Sequence, residues 1–407
     1  MPYDTDELTK MSRRRFAEAL AGMGLSAGVV HHMTQDALAE QTDDPSKEVP
    51  RLFGRRVKNP EERKDKPPSP DDRPEMEERW YTIPRSKWVR VETAEDACLE
   101  LQNQMNELDD TGQIDVYVAN QHDRDGSEKL LQVVYTTSVW EKDGEQHERT
   151  PDVSFERVEE EAPYTVTGIA GEGDNREERD VEVEVIRTEK TADCDPDGGS
   201  YYDHYYDNIP SGAQTDSCTT GPPAYSNDYS DYVITTAGHC YDLWDTIEQP
   251  NGSDAATVDD DESFLETNDD IHYSDMCFGR PESGRTVHYY IASDEDDNEY
   301  DEYIAGTVSW TRIKDIQDST FETLEKQGAT THRCGGTVLT THPGDVVRSM
   351  EIEAPRAGGD SGGPYFDLSS DGYAYIAGHH IRQGQDYDWS EGAFWEDQYE
   401  RLGLKFQ

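Results

Sequence analysis

Eighty-nine Asp and Glu side chains against 37 Lys and Arg give this 407-residue chain a formal charge of −52, and that imbalance restricts what it can fold into more than any other feature. Such self-repulsion opposes compaction at ordinary ionic strength, where charges act over roughly 8 Å. At about 1 M salt the range shrinks to roughly 3 Å and the same surface becomes tolerable. The acid is spread along the chain instead of forming a tail, which reads as adaptation to a salty medium; the rival reading is an acidic binder of basic partners. Nucleic acid is excluded as a partner, since neutralising phosphates requires excess positive charge. The basic residues are uneven: from Asp195 onward there are 11 Lys and Arg against 43 Asp and Glu. The length suggests two domains, or one with long appendages, and this asymmetry implies two differently composed parts. Only 33% of the chain is apolar, so the 7 Trp, 23 Tyr and 9 Phe must carry much of any core.

The N-terminus reads S-R-R-R-F at 12–16, then the weakly apolar A-L-A-G-M-G-L-S-A-G-V-V, then A-L-A at 37–39. Twin arginines, a phenylalanine and small residues before a cleavage point mark residues 1–39 as a twin-arginine export signal. The apolar run is too short to span a bilayer, for which about 20 residues are needed, and no second such run follows; no membrane partner is expected. An exported chain with six cysteines is expected to form disulfides. The absence of C-x-x-C argues against structural zinc, and neither metal nor cofactor is expected.

Residues 40–78, with K-D-K-P-P-S-P-D-D-R-P at 64–74, read as a disordered linker. Residues 79–193 read as a small α+β unit: a helix over Thr93–Leu108 through Ala97, Leu101 and Met105, a strand pair over Asp115–Ala119 and Leu130–Thr136, and a second over Tyr164–Ile169 and Val181–Ile186. From 194 to 407 the texture becomes β-rich: Y-V-I-T-T-A, E-Y-I-A-G-T-V-S-W, T-V-L-T-T, V-V-R-S-M-E-I and Y-A-Y-I-A-G are the clearest strands, with a short helix expected within Gly392–Leu404. This spacing suggests an all-β barrel or sandwich.

The chemistry concentrates in A-P-R-A-G-G-D-S-G-G-P-Y-F, Ala354–Phe366. A serine hydroxyl is a weak nucleophile until a base takes its proton; the base needs an orienting carboxylate, and the developing oxyanion needs donors. Ser361 is the candidate nucleophile, the amides of Gly359 and Ser361 the candidate oxyanion donors, and His239 in T-T-A-G-H-C the candidate base. T-A-G-H-C and G-D-S-G-G-P resemble the catalytic motifs of chymotrypsin-like serine proteases, in that family's order. By chance a hexamer like the second is expected about 10⁻⁵ times in such a chain. The resemblance covers Ile209 to the C-terminus. I-P-S-G-A-Q and the Cys218/Cys240 pair resemble the bacterial, α-lytic-protease-like branch, whose members are made with a pro region; residues 79–193 would then be pro-like, acting as folding aid or inhibitor.

The resemblance implies an all-β double β-barrel catalytic domain and a serine endopeptidase acting on protein or peptide substrates, which the export signal would make secreted and the acidic composition salt-adapted. It places the acid between histidine and serine, before an apolar strand. Asp270 in T-N-D-D-I-H-Y fits the acid-Ile step and Asp269 the N-D step; Asp270 is preferred. Asp360 resembles the aspartate that holds the oxyanion loop. The implied disulfides are Cys218–Cys240, Cys277–Cys334 and, for the remaining pair, Cys98–Cys194. Pro355 stands where trypsin-like relatives carry a pocket acid. His380 falls near the position where glutamate-specific relatives carry a histidine, which suggests a substrate-binding role and an acidic residue at the cleaved position. The alternatives are an inactive homologue serving as a binding module and an acidic surface protein.

Overall fold

The computed structural model describes residues 47–64, 66, 68–109, 113–120, 128–142, 145–171, 176–191, 205–262, 275–293, 300–319, 321–344, 347–384 and 389–406. The expected export signal, Cys194, Asp269 and Asp270 lie outside them. Among the described residues no helix is long and apolar enough to cross a membrane.

The first half contains β1 (Glu48–Val57), β2 (Met76–Pro84), α1 (Arg85–Leu108), β3 (Ile114–Asn120), β4 (Lys129–Lys142), β5 (Glu145–Arg149), α2 (Phe155–Glu161), β6 (Thr165–Ala170) and β7 (Glu177–Thr191). Helix α1 starts eight residues before the expected Thr93, directly after Pro84, whose missing N–H costs nothing at a helix start. Its apolar positions Ala94, Ala97, Cys98, Leu101 and Met105 recur every three or four residues and are buried, facing Val116, Val118, Leu131, Val133, Val166 and Val181 of the sheet. Each large aliphatic side chain fully buried here contributes roughly 1.5–3 kcal/mol. The helix touches β6 at Gly168, where a Cβ would lie 1.8 Å from the Thr93 carbonyl oxygen. Both expected strand pairs are present: β3 pairs antiparallel with β4 and β6 with β7. β4 and β7 run parallel and join the pairs into one sheet.

The second half contains β8 (Asn208–Ser211), β9 (Ala224–Ser226), β10 (Asp231–Thr236), β11 (Thr246–Glu248), β12 (Asp254–Glu262), β13 (Met276–Pro281), β14 (Thr286–Ala292), β15 (Tyr300–Val308), α3 (Trp310–Gln317), β16 (Leu324–Gly328), β17 (His332–Gly336), β18 (Val338–His342), β19 (Ser349–Ile352), β20 (Pro364–Leu368), β21 (Tyr373–Gly384), β22 (Ser390–Phe394), α4 (Trp395–Arg401) and β23 (Leu404–Lys405). One antiparallel group runs β11-β12-β13-β10-β9-β23. In the other, β16 pairs with β20, β20 with β21, β21 with β22, β22 with β19 and β19 with β18. β17 returns onto β16 and is followed along the chain by β18 after Thr337. The five clearest sequence strands fall on β10, β15, β18, β19 and β21, and the expected C-terminal helix is α4.

Part of the expected linker is ordered. β1 pairs with β2 along its length and also with β15 of the second half. Its basic residues, which composition counts as solvated, meet acids. Arg51, 3% exposed, binds Asp315 at 3.1 Å and Glu92 at 2.8 Å. At Gly54 a Cβ would lie 1.9 Å from the Thr307 carbonyl oxygen, so glycine is what lets β1 reach β15. The halves are also joined where β3 pairs with β18 and β7 with β21.

The junction is strongly ionic. Lys314 binds Glu92 and Glu95, Arg90 binds Asp318, and Lys129 lies 3.3 Å from Asp318. Burial would raise the Glu92 carboxyl, but Lys314 and Arg51 pull it down to about 2. Burial wins at Lys129, whose ammonium falls to about 8 despite Asp318. Removing one member of a buried pair leaves the other charged and unpaired, at a cost of about 3–5 kcal/mol. Arg51→Met, which takes away the guanidinium bound to the buried Asp315, is therefore expected to lower stability by that amount in urea titrations in high salt. Glu75→Ala, at the exposed Lys58–Glu75 pair, should stay within about 0.5 kcal/mol.

Candidate active site

Strand β10 ends at Thr236, and a single 3-10 turn over Gly238–Cys240 lifts His239 off the strand end. The turn is fixed covalently by the Cys218–Cys240 disulfide. Across the site, the A-G-G-D-S-G-G-P loop enters β20 and presents Ser361, which is 3% exposed. His239 Nε2 lies 3.0 Å from Ser361 Oγ. His239 and Ser361, expected as base and nucleophile, are thus brought within hydrogen-bond reach.

The acid differs from the expectation. The carboxylate on the far side of His239 belongs to Asp275, fully buried immediately before β13. Asp275 Oδ2 lies 2.5 Å from His239 Nδ1, and Oδ1 accepts the His239 main-chain N–H at 2.8 Å. Asp275 therefore takes the position assigned to Asp270. The register explains it: β13 pairs with β10 through Cys277↔Thr236, so the residue two before Cys277 sits beside the residue three after Thr236.

Glycines shape the nucleophile loop. Gly359 and Gly362 sit at φ 88° and 87°, a region closed to most L-residues. A Cβ on Gly362 would also lie 2.4 Å from both the Thr219 carbonyl oxygen and Thr236 Oγ1. Thr219, which sequence reasoning missed, clamps this loop: its N–H donates to the Ser361 carbonyl at 2.9 Å and its hydroxyl to the Gly359 carbonyl at 2.6 Å. Because Thr219 follows Cys218 and His239 precedes Cys240, the disulfide links the serine clamp to the histidine turn.

Asp360 points inward and is 0% exposed. It accepts from Lys326 Nζ at 2.7 Å, from the amides of Thr330 and Thr331 at 3.0 Å each, and from the Thr331 hydroxyl at 2.6 Å. Burial would raise this carboxyl, yet Lys326 outweighs it and the group titrates below its ordinary range. Lys326 Nζ also donates to the Pro355 carbonyl at 2.7 Å, so one ammonium holds both ends of the loop. No sequence signal marked Lys326, since a lysine amid Glu and Gln reads as solvated.

His380 is buried on β21, with Nδ1 2.9 Å from the Tyr365 hydroxyl. Burial, helped by the Lys326 ammonium, pushes its pKa well below the ordinary value, so the ring is neutral. Its main chain bridges the nucleophile loop, accepting from Gly362 N–H and donating to the Gly363 carbonyl, both at 2.8 Å. The expected Cys277–Cys334 disulfide is not formed. Cys277, in the first strand group, directs its thiol to the Ala237 carbonyl at 3.5 Å. Cys334, in the second, lies 3.9 Å from the Pro355 carbonyl. Cys98 keeps its thiol, 3.1 Å from the Val116 carbonyl. Among the described residues, the side chains near enough to share a metal ion are Cys218, His239 and Cys240, and the two sulfurs are already bonded.

No family model matches the sequence, and no curated protein does. Lys326→Met should strand Asp360 as a buried unpaired charge, costing about 3–5 kcal/mol and disordering the loop; thermal melts read the stability loss, and the fraction of chains titrated by a serine-directed probe should fall with it. Among solved structures, about half of the chain is similar to the Nocardiopsis protease NAPase (17% identity, 49% of this chain and 98% of that one, TM-score 0.36). It is also similar to Thermobifida fusca protease A (19% identity, 49% and 97%, TM-score 0.35). A third similar structure is a glutamic-acid-specific serine protease described as using a histidine triad in substrate binding (15% identity, 49% and 100%, TM-score 0.37).

Proposed function

We propose that the chain is a serine endopeptidase whose catalytic half is the chymotrypsin-like double barrel implied by its motifs, the two strand groups being the two barrels. One observation carries this reading: a single imidazole, His239, has Ser361 Oγ 3.0 Å from one nitrogen and a buried carboxylate 2.5 Å from the other. A carboxylate at Nδ1 fixes the tautomer in which Nε2 is bare and able to accept a proton. Ser361 Oγ attacks the peptide carbonyl while its proton passes to Nε2, and Asp275 stabilises the resulting imidazolium. The oxyanion is received by the amides of Gly359 and Ser361. His239 then protonates the leaving amine, giving an acyl-Ser361, and water activated by the same nitrogen releases the acid.

The export signature supports an extracellular enzyme, and the acidic composition supports one that works in salt. The first half is proposed as the catalytic half's own partner. The end of β7 pairs with the end of β21, Gln383↔Thr191 and Gly384↔Lys190, on the strand that carries His380, so its departure uncovers that strand end.

Incubated in high salt with a fluorophosphonate, the protein is expected to label at one serine, with labelling abolished by Ser361→Ala and slowed about 10⁴-fold by Asp275→Asn. An Asp275→Asn variant labelling at the unaltered rate would remove the carboxylate from the mechanism. The finer reading, preference for an acidic side chain at the cleaved position, rests on His380. A neutral imidazole offers hydrogen bonding and no full charge, so a Glu peptide should gain no more than about tenfold over a Phe peptide. His380→Ala should erase that margin; equal rates for the two peptides in the unaltered protein would end the acidic-specificity reading.

A further inference from the structure

Behind Asp275 lies a second imidazole that the mechanism above does not use. His379 on β21 is 1% exposed, and its Nε2 lies 2.7 Å from the main-chain carbonyl oxygen of Asp275. A carbonyl only accepts, so Nε2 carries the proton and Nδ1 is the bare nitrogen. Nδ1 is buried and has no hydrogen-bond partner among the described residues. Burial lowers the pKa of the ring, outweighing the bond to Asp275, so it is a neutral donor. An aliphatic side chain at this point would bury no unsatisfied nitrogen, so the polar ring needs a reason to be there.

Topology supplies one. His379 lies on β21 in one strand group, whereas Asp275 immediately precedes β13 in the other. The bond therefore crosses between groups and holds the peptide from which the Asp275 carboxylate hangs. Strand alternation sends His380 to the opposite face, toward Tyr365, so the two neighbouring histidines serve different partners.

We propose that His379 is a positioning residue for the triad carboxylate: its Nε2–H fixes the Asp275 main chain so that both carboxylate oxygens meet the N–H and Nδ1 of His239. This rests on the serine-peptidase reading. A misplacement of about 1 Å at such a site can cost of order a hundredfold.

The test uses the full chain in high salt, with peptide hydrolysis and fluorophosphonate labelling as readouts. His379→Leu is expected to lower kcat about 10- to 100-fold with KM within about twofold. His379→Gln, whose amide can still donate, is expected to recover most of that loss. In an Asp275→Asn background His379→Leu should slow labelling no further, since it acts through a carboxylate already removed. The proposal is overturned if His379→Leu leaves kcat unchanged, or if it costs the same factor with and without Asp275. Should His379→Leu fail to fold, His379→Gln against His379→Met, donor kept against donor lost, decides in its place. A wild-type chain that neither labels nor hydrolyses overturns the peptidase reading and this proposal with it. An active wild type indifferent to His379 overturns this proposal alone.

Discussion

One imidazole has to satisfy two partners that arrive from different strand groups, and the rest of the architecture serves that demand. Asp275 is delivered from just before β13, which pairs with the strand leading into the His239 turn, so that side of the ring is set by local register. Ser361 comes from the loop before β20, 122 residues away. Thr219 bridges this distance, gripping two carbonyls of the serine loop from a segment tied by disulfide to the turn bearing the histidine. The hydroxyl–imidazole distance thus depends on a short covalent and hydrogen-bonded circuit and is insensitive to the long connections outside it.

The loop around Ser361 obeys a related logic. Four glycines make it conformationally permissive, which is a liability in a site that must be preorganised. Asp360 removes that freedom by turning inward onto Lys326 and the Thr330–Thr331 amides. A buried ion pair is poor evidence of stability, but here it selects one loop conformation from many.

Much of this was legible in the sequence. The T-A-G-H-C and G-D-S-G-G-P motifs located His239 and Ser361, and β-rich runs located β10, β15 and β21. What failed did so for identifiable reasons. In a chain with 89 acids, an aspartate in the right interval is a weak signal; only the register of β13 against β10 singles out Asp275. The stretch from Lys47 looked like a linker because its arginines and prolines suggested solvation. Arg51 is nevertheless buried, because the second half supplies Asp315 and the helix beside it supplies Glu92. Complementarity between distant segments leaves no local trace. The Cys277–Cys334 pairing implied by the resemblance failed too, since the two sit in different strand groups and face different carbonyls.

The charge asymmetry between the halves acquires a meaning at their junction. Arg51, Arg90 and Lys129 of the first half meet Asp315 of α3 and Asp318 just beyond it, and Lys314 of α3 meets Glu92 and Glu95 of the first half; such buried contacts are screened far less by salt than the exposed surface is. Three strand pairings lie alongside them, β1 on β15, β3 on β18 and β7 on β21. Scission of the backbone anywhere between Thr191 and Asn208 would therefore leave a nicked but undivided molecule. Parting the two halves means baring three ladders of backbone donors and acceptors at once, so a single cut there would not separate them.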